Sequence, residues 1–140
     1  MKKKVLSVLF ALLFCWTGLI SVSAAGTVPI QPRWAALNYI YCDLDLYGGF
    51  FSNAKVSSTA MCKDANHKVT VTVTIQKWNG SSYENTDTSW TAGPGMGATV
   101  DKTFSLGAGD YIAHAVAVVT DSAGRYVETV TADSKAIVIT

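Results

Sequence analysis

Val69-Thr70-Val71-Thr72-Val73-Thr74-Ile75-Gln76 alternates apolar and polar side chains without a break. A period of two puts the valines and Ile75 on one face and the threonines and Gln76 on the other, which predicts a half-buried β-strand. Two stretches upstream repeat the pattern. Ile40, Cys42, Leu44 and Leu46 alternate with Tyr41, Asp43, Asp45 and Tyr47, and Ala54, Val56, Ser58, Ala60 and Cys62 form a weaker series. Turn-forming clusters fall between such runs at Gly48-Gly49, Asn79-Gly80-Ser81-Ser82, Gly93-Pro94-Gly95, Gly107-Ala108-Gly109 and Asp121-Ser122-Ala123-Gly124. The spacing predicts about seven strands, near 35–47, 54–62, 68–78, 83–91, 98–105, 111–120 and 125–139, the last breaking near Asp133. No window after residue 25 sustains an apolar period of 3.6, and no longer repeat occurs. The fold class is all-β.

One hairpin can be registered from its turn. Centring it on Gly80-Ser81 pairs Trp78 with Tyr83, Lys77 with Glu84, Gln76 with Asn85 and Val71 with Trp90. Trp90 then shares the valine face and belongs inside. Trp78 and Tyr83 share the threonine face and belong outside, with Gln76, Asn85 and Asp87 beside them.

Leu106-Gly107-Ala108-Gly109-Asp110-Tyr111 leads into a strand, Ile112 to Thr120, that is apolar on both faces. The L-x-x-G-x-Y spacing of Leu106, Gly109 and Tyr111 resembles the tyrosine corner of immunoglobulin-like and fibronectin type III sandwiches. That resemblance implies a single immunoglobulin-like antiparallel β-sandwich, with the Tyr111 ring in the core and its hydroxyl bonded to nearby backbone. A strand ending in Gly48-Gly49, the Val/Thr strand, Gln76-Lys77-Trp78-Asn79-Gly80-Ser81, Trp90 and the Gly109-x-Tyr111 strand follow one another in that order. Together with the N-terminal segment below, this order resembles small secreted proteins of Gram-positive firmicutes grouped as a family of unknown function. The resemblance implies a fold and a destination and no catalytic or binding residue.

The chain has 140 residues, enough for one ordinary domain. Lys2, Lys3 and Lys4 precede the apolar run Val5 to Ile20, and Ser23-Ala24-Ala25 supplies small residues for a signal peptidase. Residues 1–25 are thus expected to be a cleaved signal peptide, 26–34 an extended lead-in and 35–140 the sandwich domain. Sixteen apolar residues fall short of the ~20 that a spanning helix needs. Cys15 as a lipidation site is disfavoured by the bulky Phe14 before it. Three of the eleven basic residues lie in the signal, so eight remain against ten acidic, a net charge of −2. Such a balance offers no basic stripe to nucleic acid and nothing to an anionic membrane.

Cys42 and Cys62 remain after cleavage, and an even pair outside the cytoplasm predicts a disulfide, here on the apolar phase of neighbouring strands. Metal and cofactor signals are weak. Two thiols twenty residues apart with only His67 near do not make a zinc site. Asp43 and Asp45, ~7 Å apart on one strand face, or Asp64 with Asn66, offer carboxylates without the calcium-loop pattern. Gly93, Gly95 and Gly97 have no following helix to receive a phosphate, and read as a flexible loop. His67 falls in a turn and His114 within a strand, with no nucleophile motif nearby. No cofactor is expected.

Aromatic residues carry the functional expectation. Trp34, Tyr39, Tyr41, Tyr47, Phe50, Phe51, Trp78 and Tyr83 crowd the first half of the mature chain. Exposed rings beside amides and hydroxyls suit sugar or protein surfaces, while the same rings can serve only to cover sheet edges. The reading that follows is a secreted, non-catalytic β-sandwich protein binding extracellular glycan or protein, with Trp78, Tyr83, Gln76 and Asn85 as its binding residues. A small secreted hydrolase using His114 or paired acids, and a secreted toxin or inhibitor acting on neighbouring cells, are the alternatives. The toxin reading predicts an immunity protein encoded beside it.

Overall fold

The computed structural model describes residues 33–48 and 53–140. The expected signal peptide, most of the lead-in, Cys15, Phe50 and Phe51 lie outside the described residues. Eight strands are found among those described: β1 (Leu37–Leu46), β2 (Asn53–Cys62), β3 (His67–Trp78), β4 (Tyr83–Gly95), β5 (Gly97–Ser105), β6 (Gly109–Asp121), β7 (Tyr126–Asp133) and β8 (Ile137–Ile139). They form two antiparallel sheets, one ordered β1-β2-β5 and the other β4-β3-β6-β7, with β8 pairing β6.

The alternation read from the sequence is the burial pattern. Val69, Val71, Val73 and Ile75 on β3 are buried with Ala113, Ala115, Ala117 and Val119 on β6 and Ala54, Val56 and Ala60 on β2. These inner faces form one core between the sheets. The architecture is an all-β antiparallel sandwich. Ser58 is the buried polar side chain of that core, and its hydroxyl donates to the Tyr41 carbonyl at 2.8 Å.

The glycine run is not the flexible loop expected. Strand β4 extends to Gly95 and the chain resumes as β5 at Gly97, so this segment carries it from one sheet to the other. Gly93 has φ +103°, and a Cβ there would lie 2.5 Å from the Val69 carbonyl oxygen. Backbone approach, rather than flexibility, is what requires glycine at this position.

The disulfide expectation is overturned by register. Cys42 lies opposite Ser58, as Leu44 lies opposite Val56, and Cys62 lies opposite Leu37. The two cysteines thus sit four rungs apart, roughly 13 Å along the strand direction, where a bridge needs Cα atoms within about 7 Å. Both are free thiols. They do face inward as read, but on different rungs.

The break expected near Asp133 falls between β7 and β8. Ser134 patches the ladder there: its N–H donates to the Ala113 carbonyl at 2.9 Å, and its hydroxyl accepts the Ala113 N–H at 2.8 Å.

Candidate functional site

The β3–β4 turn is built by one side chain. Asn79 Oδ1 accepts the N–H groups of Ser81 and Ser82 at 2.8 and 2.9 Å, while Asn79 N–H donates to the Ser82 carbonyl at 3.0 Å. Gly80 takes φ +102°, open to glycine at no steric cost. Asn79 Nδ2 also donates to Glu84 at 2.6 Å. This tight turn sets Trp78 directly opposite Tyr83, Lys77 opposite Glu84 and Gln76 opposite Asn85, as the sequence predicts.

Trp78 and Tyr83 pack ring on ring at 5.1 Å with planes tilted 59°. Trp78 keeps 41% of its surface exposed. One rung inward, Gln76 Nε2 donates to Asn85 Oδ1 at 2.8 Å. On the neighbouring strand Ile112 lies opposite Gln76, and Val138, 58% exposed, lies opposite Asp110 on the same outer side. The four residues read as binding positions are therefore brought together. They form an aromatic step beside an amide pair.

Beyond Asn85 the register shifts. Thr86 Oγ1 donates to the Ile75 carbonyl at 2.8 Å and accepts the Thr88 N–H at 3.2 Å, fixing a bulge. Val73 consequently faces Trp90, and Val71 faces Ala92 rather than Trp90 as expected. A shift of two residues preserves the side each residue faces. Trp90 accordingly points inward against Phe104, with ring centroids 4.8 Å apart, although it is only partly buried on this edge strand.

The outer face of β3 continues as hydroxyls. Thr74 lies opposite Ser89 on one side and His114 on the other, and Thr72 bonds Thr91 hydroxyl to hydroxyl at 2.9 Å. His114 in turn meets Asp133 across β6–β7, Nδ1 to Oδ1 at 2.5 Å. Sequence reasoning missed this pair, although centring the 121–125 turn on Ala123-Gly124 would have placed it. No hydrogen bond joins His114 to a hydroxyl among the described residues.

The other aromatics do not join this surface. Tyr39, Tyr41 and Tyr47 are exposed on β1 and just past it, in or beside the other sheet, and Trp34 packs on the core. Hydrogen bonds from Thr59 and Ser57 hold the Tyr41 phenol below its ordinary pKa.

Tyr111 is buried at 4% exposure with Leu106 packed partly against the core, as a corner requires. Lys77 Nζ sits 5.4 Å from its ring centroid. Gly109 has φ +149°, and a Cβ there would press on the Lys77 stem. The hydroxyl-to-backbone bond that defines a tyrosine corner is absent among the described residues.

Asp64 and Asp45, two of the acidic groups weighed as cation ligands, are engaged by neighbouring side chains. Asp64 accepts the Asn66 N–H and meets His67 Nδ1, each at 2.9 Å, and Asp45 pairs with Lys135 at 2.5 Å. No group of three metal-ligating side chains occurs among the described residues. The Cys42 thiol lies 3.6 Å from the Ala113 carbonyl, and burial pushes its pKa up to about 11. A thiol so protonated at neutral pH is a poor nucleophile.

A second feature went unread. Glu128 on β7 accepts the N–H groups of Ala35, Ala36 and Leu37 at 2.9, 2.7 and 2.7 Å. Lys63 holds the same segment from the opposite charge, donating to the Trp34 carbonyl and, at 3.4 Å, to that of Ala35. No family model, curated protein or solved structure matches the chain.

Proposed function

We propose that this chain is a secreted, non-catalytic, immunoglobulin-like sandwich protein that binds extracellular or cell-surface glycan through the Trp78–Tyr83 step. The observation that carries the reading is the Trp78–Tyr83 pair, held at 5.1 Å by a rigid Asn79 turn with Trp78 left 41% exposed. A ring presented in this way gives a sugar's C–H face something to stack on, at little entropic cost. The Gln76–Asn85 bond uses one donor and one acceptor of the two amides. An acceptor on Gln76 and donor capacity on Asn85 are left for ligand hydroxyls.

The immunoglobulin-like reading is supported by the order β1-β2-β5 and β4-β3-β6-β7, in which the chain exchanges sheets in Greek-key fashion. The signal-like run of residues 5–20 after Lys2, Lys3 and Lys4 supports secretion. Retention of the purified mature protein on insoluble peptidoglycan and neutral polysaccharides, compared with Trp78→Ala, tests the function. Wild type should be retained and the variant should pass through; equal behaviour of the two would refute it.

The His114–Asp133 pair favours a second reading, a small hydrolase. The carboxylate orients the imidazole, and Thr74 on the adjacent strand carries the neighbouring hydroxyl. Release of soluble fragments from those polymers, lost in His114→Ala and kept in Trp78→Ala, would replace the first reading with this one.

A further inference from the structure

We infer that the ligand is a linear, uncharged polysaccharide lying along the β3–β4 strand pair, engaging several consecutive sugar units from Trp78 toward Thr72 and Thr91. This inference rests on the glycan reading and extends it from a point to a track. Outward positions on β3 run Trp78, Gln76, Thr74, Thr72, Thr70, with Tyr83, Asn85, Ser89 and Thr91 opposite the first four. Successive outward positions, two residues apart, lie ~6.7 Å from one another, so the row spans about 27 Å, the length of several linked sugar rings.

The chemistry changes in order along the row. It opens on the aromatic step, passes the amide pair and continues as hydroxyls, with Thr72 and Thr91 joined at 2.9 Å. Each threonine presents a methyl beside its hydroxyl, the combination a pyranose ring offers in return. None of these nine side chains is ionisable except the Tyr83 phenol. Carboxylates stand alongside, at Asp87 within the β4 bulge and at Asp133 across β6, where it is tied to His114. A polyanion would meet repulsion there, and the one lysine of the same outward row, Lys68, stands past Thr70 at the far end from the aromatic step.

A peptide is the poorer fit for a specific reason. Extended peptides bind sheets by pairing main-chain groups at an edge. Strand β3 is internal, hydrogen-bonded to β4 and β6 on its two sides, so the face of the track offers side chains only; the free backbone ladder of this sheet is the outer edge of β4, where a strand-adding peptide would lie beside the row rather than on it.

The experiment is titration calorimetry with cello-, chito- and malto-oligosaccharides of two to six units, and with polygalacturonate as the charged probe, on wild type, Trp78→Ala and the double variant Thr72→Val/Thr91→Val. The valines keep the β-branched shape and remove the hydroxyls. In the series that binds, affinity should rise at least tenfold from two to six units. The double variant should keep short-ligand affinity while losing most of the rise, and Trp78→Ala should lose binding at every length. Length-independent affinity that still requires Trp78 would overturn the track and leave the glycan reading standing. Tighter binding of polygalacturonate than of any neutral chain would overturn the uncharged ligand. If wild type binds none of the probes, both the track and the reading fail. Matching circular dichroism melts for the three proteins show that the losses are not unfolding.

Discussion

The Glu128 carboxylate, on β7 of one sheet, accepts the N–H of Leu37, the first residue of β1 in the other, at 2.7 Å. Ala36 and Ala35 donate to the same group, so one side chain ties the start of the domain across the sandwich. Burial pushes the Glu128 pKa up, but the three N–H groups and Lys63 outweigh it and hold the carboxyl below its ordinary value. A depressed folded value means that the stabilisation is complete above the unfolded pKa and is lost as pH falls through the folded one. Stability by urea unfolding should therefore decline below about pH 4.5, with Glu128 contributing to the slope. Glu128→Ala should cost on the order of 1.5–3 kcal/mol at neutral pH, the range for hydrogen bonds to a charged group. An unchanged midpoint would show that the lead-in is held by other contacts.

Cys42 and Cys62 should both be free in protein purified without reductant. Four rungs of β1–β2 separate them, and closing that gap would require slipping the whole hairpin. Intact mass should be the same before and after reduction. Labelling at neutral pH should be slow in the folded state, because burial raises both thiol pKa values, that of Cys42 to about 11. Unfolding should make both react. A two-dalton difference on reduction would mean that the β1–β2 register differs from the one described.

The contrast between the two hairpins shows what a sequence reveals about register. Asn79-Gly80-Ser81-Ser82 has one plausible turn centre, so Trp78–Tyr83, Gln76–Asn85 and the candidate site were legible. Between Tyr47 and Asn53 the sequence offers no single turn centre, so no β1–β2 register was legible and the four-rung offset of Cys42 from Cys62 stayed hidden. Alternation still placed both thiols inside, because a face needs only the period. The Thr86–Thr88 bulge was invisible for another reason: it depends on a hydroxyl reaching the Ile75 carbonyl across the ladder. Glu128 could not be read at all, since its partners are backbone groups more than ninety residues away.

Tyr111→Phe should change stability by less than about 0.5 kcal/mol, since the hydroxyl makes no hydrogen bond among the described residues. Tyr111→Ala removes a ring that is 4% exposed and should cost ~3–5 kcal/mol. Chemical denaturation of both variants separates ring from hydroxyl. A loss above 1 kcal/mol in Tyr111→Phe would restore the tyrosine-corner bond.

Trp78 and Trp90 stand on the same hairpin and face opposite ways, so their truncations should have opposite signatures. Trp90 packs on Phe104 at 4.8 Å opposite Val73, inside the sandwich but at an edge strand that leaves it partly exposed. Trp90→Ala should cost about 3 kcal/mol, the low end for a large aromatic, because part of the cavity opens to water. Trp78 loses mainly one tilted contact with Tyr83, worth about 0.5–1.5 kcal/mol, so Trp78→Ala should unfold at nearly the wild-type midpoint. Retention on polysaccharide should then divide the other way, lost in Trp78→Ala and kept in Trp90→Ala below its unfolding transition. Fluorescence supplies an independent check. Emission remaining in Trp90→Ala should include an exposed, quenchable component from Trp78, and that component should vanish in Trp78→Ala. If Trp78→Ala proves the more destabilising of the two, the ring is a structural cover for the hairpin end, and the face it was taken to offer a ligand is packing instead.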